Sequence, residues 1–223
     1  MQREAGEAFA IAFTADGARV AIGTGVGAVE VFDATTGAWL RTIDMDGFMS
    51  CMSFSPTAIS ILATAGDYHG IHLWDIDSGE MISKIEGCSI IAMFSPDGRT
   101  IAAASADDTL DVQLMDAESG EMRHRMHRHT RLVSTASWSL DGSKLASGSH
   151  DGTCKVWDSS TGELLRTIQL GGRIPHSVVW GRDWVRDTQG AMAFAMGHHP
   201  QLGAESPVLE LEAGVVRMIL DRV

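Results

Sequence analysis

The chain has only three cysteines, Cys51, Cys88 and Cys154, and none of them forms a Cys-x-x-Cys pair. That excludes the usual zinc frameworks, and an odd set within apolar runs reads as small buried hydrophobes in a reducing compartment. Positive charge is scarce as well: 17 Lys and Arg face 29 Asp and Glu, a formal net charge of -12. A polyanion meets a repulsive average field, so nucleic acid is excluded as the main partner. No apolar run approaches the length of a bilayer span, and residues 1–10 mix charges of both signs without the apolar segment of a signal peptide. The expectation is a soluble cytoplasmic protein, with the nucleus open to it and no membrane partner. Apolar residues at helical spacing are nearly missing too, which points away from helices.

What the chain does have is a repeat. An aromatic residue closes a strand-like run at Phe13, Phe54, Phe94, Trp138 and Trp180, at spacings of 41, 40, 44 and 42 residues. Turn chemistry follows four of the five, as in Thr14-Ala15-Asp16-Gly17, Ser55-Pro56-Thr57-Ala58, Ser95-Pro96-Asp97-Gly98 and Ser139-Leu140-Asp141-Gly142. Glycine supplies positive φ and proline presets the preceding corner, so these are hairpin signals. A second landmark recurs as Phe32-Asp33, Trp74-Asp75, Met115-Asp116 and Trp157-Asp158, each followed by a turn ending at Gly37, Gly79, Gly120 and Gly162. Between landmarks lie short alternating segments, which read as four strands per unit.

A unit of this length with Trp-Asp landmarks resembles the WD40 family, whose repeat folds as a four-stranded propeller blade. The fourth unit is the most typical: His129-Thr130, Trp138 to Gly142, Leu145 to Thr153 and Trp157-Asp158. The resemblance implies an all-β fold, a β-propeller of four-stranded antiparallel blades. About five blades are expected in one domain over 1–223, with units at 8–45, 46–86, 87–126, 127–170 and a divergent 171–223. Seven blades are usual in the family, so a partial or incomplete ring is expected, completed by self-association or by blades from elsewhere. In the last unit Leu211-Glu212 takes the place of Trp-Asp, with a longer loop around His198 and His199 and a fourth strand at Val215–Leu220.

The resemblance also implies a hydrogen-bonded structural tetrad of His129, Ser147, Asp151 and Trp157. Unit two keeps Trp74 and Asp67 but shows Phe48-Met49 where the histidine is expected, unit three has Met115 for the tryptophan, and unit one has Val26 near the aspartate position. Those blades are expected to lean on apolar packing instead.

Catalytic chemistry finds little support. Ser134, Ser147 and Ser149 lie near His129, His150 and Asp151 in sequence, but no Gly-x-Ser-x-Gly elbow occurs and the tetrad accounts for three of the six. His127 and His129 could share a strand face as metal ligands, yet they straddle a strand-to-loop junction. Gly23 to Gly27 precedes a strand, so it reads as a turn and not a phosphate loop. No catalytic residue, metal or cofactor is assigned; a propeller-based hydrolase or metal-dependent enzyme is the alternative to a non-catalytic protein-binding scaffold or adaptor. One feature departs from the acidic average: Arg123, Arg125, Arg128 and Arg131 fall within nine residues. Arg123 replaces the apolar Leu40, Ile82 and Leu165 of the other units. Guanidinium forks suit carboxylates and phosphates, so a protein or peptide partner of acidic or phosphorylated character is expected at a rim of Arg128, Arg131 and His150 with Asp107 and Asp108 beside it.

Overall fold

The computed structural model describes residues 8–25, 27–45, 47–66, 70–87, 89–105, 110–180, 208–209 and 216–220. Every regular element among them is a strand, and no helix is long and apolar enough to cross a membrane. The first sheet takes β1 (Ala8–Phe13), β2 (Arg19–Thr24), β3 (Ala28–Asp33) and β4 (Trp39–Asp44) in sequence order. The second takes β5 (Cys51–Phe54), β6 (Ile61–Ala65), β7 (Ile71–Asp75) and β8 (Met81–Ile85). The third takes β9 (Ser89–Phe94), β10 (Thr100–Ser105), β11 (Val112–Asp116) and β12 (Met122–Met126), and the fourth β13 (Val133–Trp138), β14 (Lys144–Ser149), β15 (Thr153–Asp158) and β16 (Leu164–Gln169). All neighbours within these sheets pair antiparallel. They are four propeller blades.

The repeated turns explain why so short a chain period makes four strands. After the first strand the hydroxyl of Thr14, Ser95 or Ser139 donates to the carboxylate two residues on, each at 2.6 Å, and the following glycine takes positive φ. Those hydrogen bonds, led by the Ser139 hydroxyl, hold the Asp141 carboxyl down at about 2. Blade two lacks the Asp-Gly pair, and there Ser55 Oγ accepts from the Ala58 amide instead. After the third strand, Asp33, Asp75, Asp116 and Asp158 each accept two backbone amides through one carboxylate oxygen. The landmark aspartate is thus the turn's anchor, an Asx-type closure. Before the third strand, Gly27, Gly70 and Gly152 hold φ of 78°, 87° and 76°; in blade three the same place belongs to Leu110 at φ 54°. A side chain there is strained, since only glycine enters this region freely.

Cores lie between blades. One cluster joins Val29 and Val31 of blade one to Met49, Met52 and Leu62 of blade two, another joins Leu73 and Ile85 to Phe94 and Ile101, and a third joins Leu114 and Met126 to Trp138, Leu145 and Trp157. A smaller one sets Cys154, Val156 and Leu170 against Val178. Each sheet therefore buries both faces only where a neighbour stands on each side. Blade one shows the consequence: Phe54, Phe94 and Trp138 are 7–8% exposed, whereas Phe13 at the equivalent position is 58% exposed.

The fifth sheet departs from expectation. Strands β17 (Pro175–Trp180), β18 (Val208–Leu209) and β19 (Val216–Leu220) pair in the order β17-β19-β18. The segment read as an outer fourth strand therefore lies beside the first strand of its sheet, with Val178 opposite Met218. Its apolar content suits an inner position, because a strand beside β17 has a neighbour on either side. Ala191 to Met196, His198, His199, Leu211 and Glu212 lie outside the described residues.

Candidate functional site

Blade four carries the site. His129 sits in the loop after β12, Ser147 on β14, Asp151 in the turn between β14 and β15, and Trp157 on β15. The Trp157 indole N–H donates to Ser147 Oγ at 2.8 Å, and Ser147 Oγ stands 2.8 Å from His129 Nε2. On the other side of the ring His129 Nδ1 is 2.9 Å from Asp151 Oδ2. A carboxylate only accepts, so Nδ1 carries the proton and Nε2 accepts from the serine hydroxyl. Donors and acceptors then run in one direction from indole to carboxylate. His129 is buried and Asp151 nearly so, at 7% side-chain exposure.

Each ionisable member is tuned by this line. Burial lowers the His129 pKa below its usual 6.5, against the opposing pull of Asp151. Burial on its own would raise Asp151, but hydrogen bonds from Thr153, His129 and the Thr130 amide outweigh it and bring the carboxyl to about 2. A pH dependence follows. The folded chain keeps His129 neutral while the unfolded chain protonates it near 6.5, so this contribution is complete above 6.5 and is lost as pH falls below it. The Asp151 contribution is complete above the usual carboxylate range and is lost only as pH falls below it toward about 2. Between pH 7.5 and 5 the melting temperature of the wild type is expected to fall more steeply than that of His129→Gln, as thermal melts across that range would read; parallel slopes would contradict a neutral buried imidazole.

The same line fixes the loop that leads into the blade. Asp151 Oδ2 accepts from the Thr130 amide at 3.1 Å, Ser149 Oγ donates to Arg131 O at 2.8 Å and the His150 amide donates to Leu132 O at 2.8 Å. Arg128 and Arg131, both exposed, flank the buried His129 and so project from an anchored loop, with His150 half-buried in the adjoining turn. Asp107 and Asp108 lie outside the described residues. The other two arginines of the run are engaged within blade three: Arg123 donates to Asp116 and to Thr100 Oγ1, and Arg125 donates to Asp111. The position of Arg123 is not apolar in the buried sense, since Leu40, Ile82 and Leu165 are themselves 46–53% exposed. Arginine costs nothing there.

His127 and His129 do not converge, for His127 Nδ1 faces Asp111 Oδ1 and His129 faces Asp151. Nor do the serines form a nucleophile: Ser134 Oγ donates to Pro175 O, and Ser149 Oγ is spent on Arg131 O. Cys154 is fully buried, which pushes its thiol up to about 12. In blade two the described part of the line is Trp74 Nε1 donating to the buried Thr64 at 3.0 Å, while Met49 is fully buried in the segment expected to hold a histidine. Met115 of blade three is buried in the apolar core facing blade two. Asp67 and Val26 lie outside the described residues. Asp111 was not singled out by the sequence; its one signal is a carboxylate where blade four has Thr153.

Comparison with known proteins bears on these blades directly. The family model for the WD domain, G-beta repeat, matches residues 79–112 and 120–158, each match running from near the outer strand of one blade to the third strand of the next. These two stretches are WD40 repeats. Among WD40 relatives the chain is 33% identical over 121 residues to Protein tipD of Dictyostelium discoideum, covering 53% of this chain and 19% of that protein. It is 31% identical to small ribosomal subunit protein RACK1y of Oryza sativa, over 52% of this chain and 36% of that one. With nuclear distribution protein PAC1 of Fusarium vanettenii it shares 30% identity over 62% of this chain and 31% of the relative. The chain thus spans about a third or less of these relatives' lengths. A chain in the crystal structure of the mitotic checkpoint complex has the same fold, with a TM-score of 0.72 over 80% of this chain and 56% of that one at 22% identity.

Proposed function

We propose that this WD40 chain is a non-catalytic interaction scaffold that holds a protein or peptide partner at the rim formed by Arg128, Arg131 and His150. The observation that carries the reading is the anchoring of the loop. Two exposed arginines flank a histidine fixed by Ser147 and Asp151, so their backbone is held before any partner arrives and little ordering entropy is lost on binding. Against a net charge of -12 this rim selects acidic or phosphorylated segments, by forked hydrogen bonds and by steering. The relatives support the scaffold reading. Protein tipD, RACK1y and PAC1 are not named for an enzymatic activity, and the structural neighbour belongs to a multiprotein checkpoint complex. Ser134, Ser147, Ser149 and His129, the residues closest to a hydrolase set, are committed to structural hydrogen bonds, which speaks against the enzyme reading. A cytoplasmic location is part of the same proposal.

The test is affinity capture from the source cell with the wild type and with the Arg128→Glu, Arg131→Glu double variant. The principal partner is expected to be lost with the double variant and to elute at raised salt, at a nearly unchanged melting temperature, because exposed charges contribute little to stability. Retention by the double variant at high salt would place the partner elsewhere on the propeller.

We infer also that blade one takes a second copy of this chain as its cover. Phe9, Ile11 and Phe13 on β1 are 48–64% exposed, an apolar row that a second copy can bury.

A further inference from the structure

Blade one turns an apolar face away from blade two, and a carboxylate stands in the middle of it. Phe13 lies opposite Val20, Val20 opposite Phe32 and Phe32 opposite Trp39; in the next row Ile11 lies opposite Ile22, Ile22 opposite Glu30 and Glu30 opposite Thr42. Alternation fixes the side, because Ala21, Val29, Val31 and Ile43, which alternate with these residues along the strands, pack against blade two. Ile11, Phe13 and Trp39 are exposed and Glu30 is half-buried. Among the described residues the Glu30 side chain makes no hydrogen bond or ion pair. Both arginines of blade one reach the other way: Arg19 pairs with Asp77 of blade two, and Arg41 donates to the Asp77 and Ser78 carbonyls. The other charged group placed on the uncovered face is Asp44, at its edge opposite Ala28, so among the described residues this face holds no cation.

We propose that a second copy covers this face by two-fold pairing and that Glu30 links the pairing to proton uptake, its carboxylate taking a proton from solvent as the interface closes. The inference rests on the second copy as the cover of blade one and adds what controls it. Two-fold pairing sets the same surface on both sides. Whatever the rotation about the axis, Glu30 therefore meets Phe, Ile, Val, Trp, Thr and further carboxylates, and no Lys, Arg or His of that face. An unpaired charge is disfavoured in such surroundings and the neutral carboxyl is not. Size makes the effect decisive. Four strands of six residues form a face of roughly 20 by 15 Å, small beside the about 800 Å² per partner of a standard interface. The pair is accordingly weak, and one carboxyl per copy decides how much of it forms.

The test follows the whole chain by sedimentation velocity at pH 7.5 and 5.5, as wild type, Glu30→Gln and Glu118→Gln, with a thermal melt of each. The register position of Glu30 holds His72, Gln113 and Lys155 in blades two, three and four, so glutamine is already accommodated there and Glu30→Gln is expected to melt close to the wild type. At pH 7.5 Glu30→Gln is expected to associate at least tenfold more tightly than the wild type. Glu118→Gln, which removes the same charge from an exposed turn of blade three, is expected to stay within about twofold. The pair holds more protons than two separate chains, so the wild type is expected to tighten at least fivefold from pH 7.5 to 5.5, and Glu30→Gln to lose most of that change. Unchanged association of Glu30→Gln, equal tightening by Glu118→Gln or parallel pH dependence of all three chains would overturn the proposal. Weaker association of Glu30→Gln would overturn it as well, since the covering surface would then bring a cation to Glu30. If Ile11→Lys with Phe13→Lys abolishes association while Glu30→Gln leaves it unchanged, self-association stands and the proton linkage falls. If neither the wild type nor Glu30→Gln associates at either pH, both fall.

Discussion

Trp157→Ala is expected to destabilise the chain by about 3–5 kcal/mol, the range for removing a large buried aromatic side chain. Trp157 is 1% exposed and packs with Leu114, Met126, Val133 and Leu145, so its loss opens a cavity between blades three and four that neither sheet can close alone. It also removes the N–H that donates to Ser147 Oγ, in a site where the hydroxyl has no water to turn to. Domains of this kind have roughly 5–15 kcal/mol in total, so the variant should lose a large part of its stability. Urea melts read the effect as a lower midpoint at similar slope. Trp157→Phe, which keeps most of the volume and loses only the donor, should cost less, on the order of 1–2 kcal/mol. A loss below about 1 kcal/mol for the alanine variant would contradict the role given to this side chain.

The second large effect concerns association. Phe9, Ile11 and Phe13 are already about half buried, so covering the rest gains roughly half of the usual 1.5–3 kcal/mol per side chain, and a dimer that buries the row of both copies counts six such side chains against the cost of association. Self-association at micromolar concentration is the expected outcome, visible in sedimentation velocity as a concentration-dependent rise in mass. Ile11→Lys with Phe13→Lys should return the chain to a monomer without loss of the blade-four melt, since both side chains are already more than half exposed. A wild type that stays monomeric across the concentration range would show that blade one needs no cover.

The blades were legible because their signals are local. A glycine with positive φ or an aspartate two residues beyond a hydroxyl acts within one turn, so Gly17, Gly98, Gly142 and the aspartates at 33, 75, 116 and 158 mark turns wherever they recur. The four tetrad residues were read from resemblance, and the geometry brings them within 2.8–2.9 Å of one another in sequence. What escaped is what depends on tertiary neighbours. Asp111 meets Arg125 and His127 across a strand pair, 14 and 16 residues away, and no repeat of spacing marks such a contact. The pairing of β19 with β17 escaped for a similar reason: the apolar pattern of residues 215–220 suits any strand with a covered face, and strand order is set by partners far along the chain. Arg123 was misread in the other direction, as a charge at an apolar site, because a repeat of Leu and Ile does not reveal that the position faces outward.

The most direct test of the account takes the principal partner recovered by capture and titrates it calorimetrically against the wild type and against Arg128→Glu, Arg131→Glu, with the melting temperature of each chain measured alongside. The rim anchored by His129 and Asp151 predicts an affinity that falls at least tenfold in the double variant and weakens with salt in the wild type, at melting temperatures that agree closely. Equal affinities for the two chains, insensitive to salt, would contradict it.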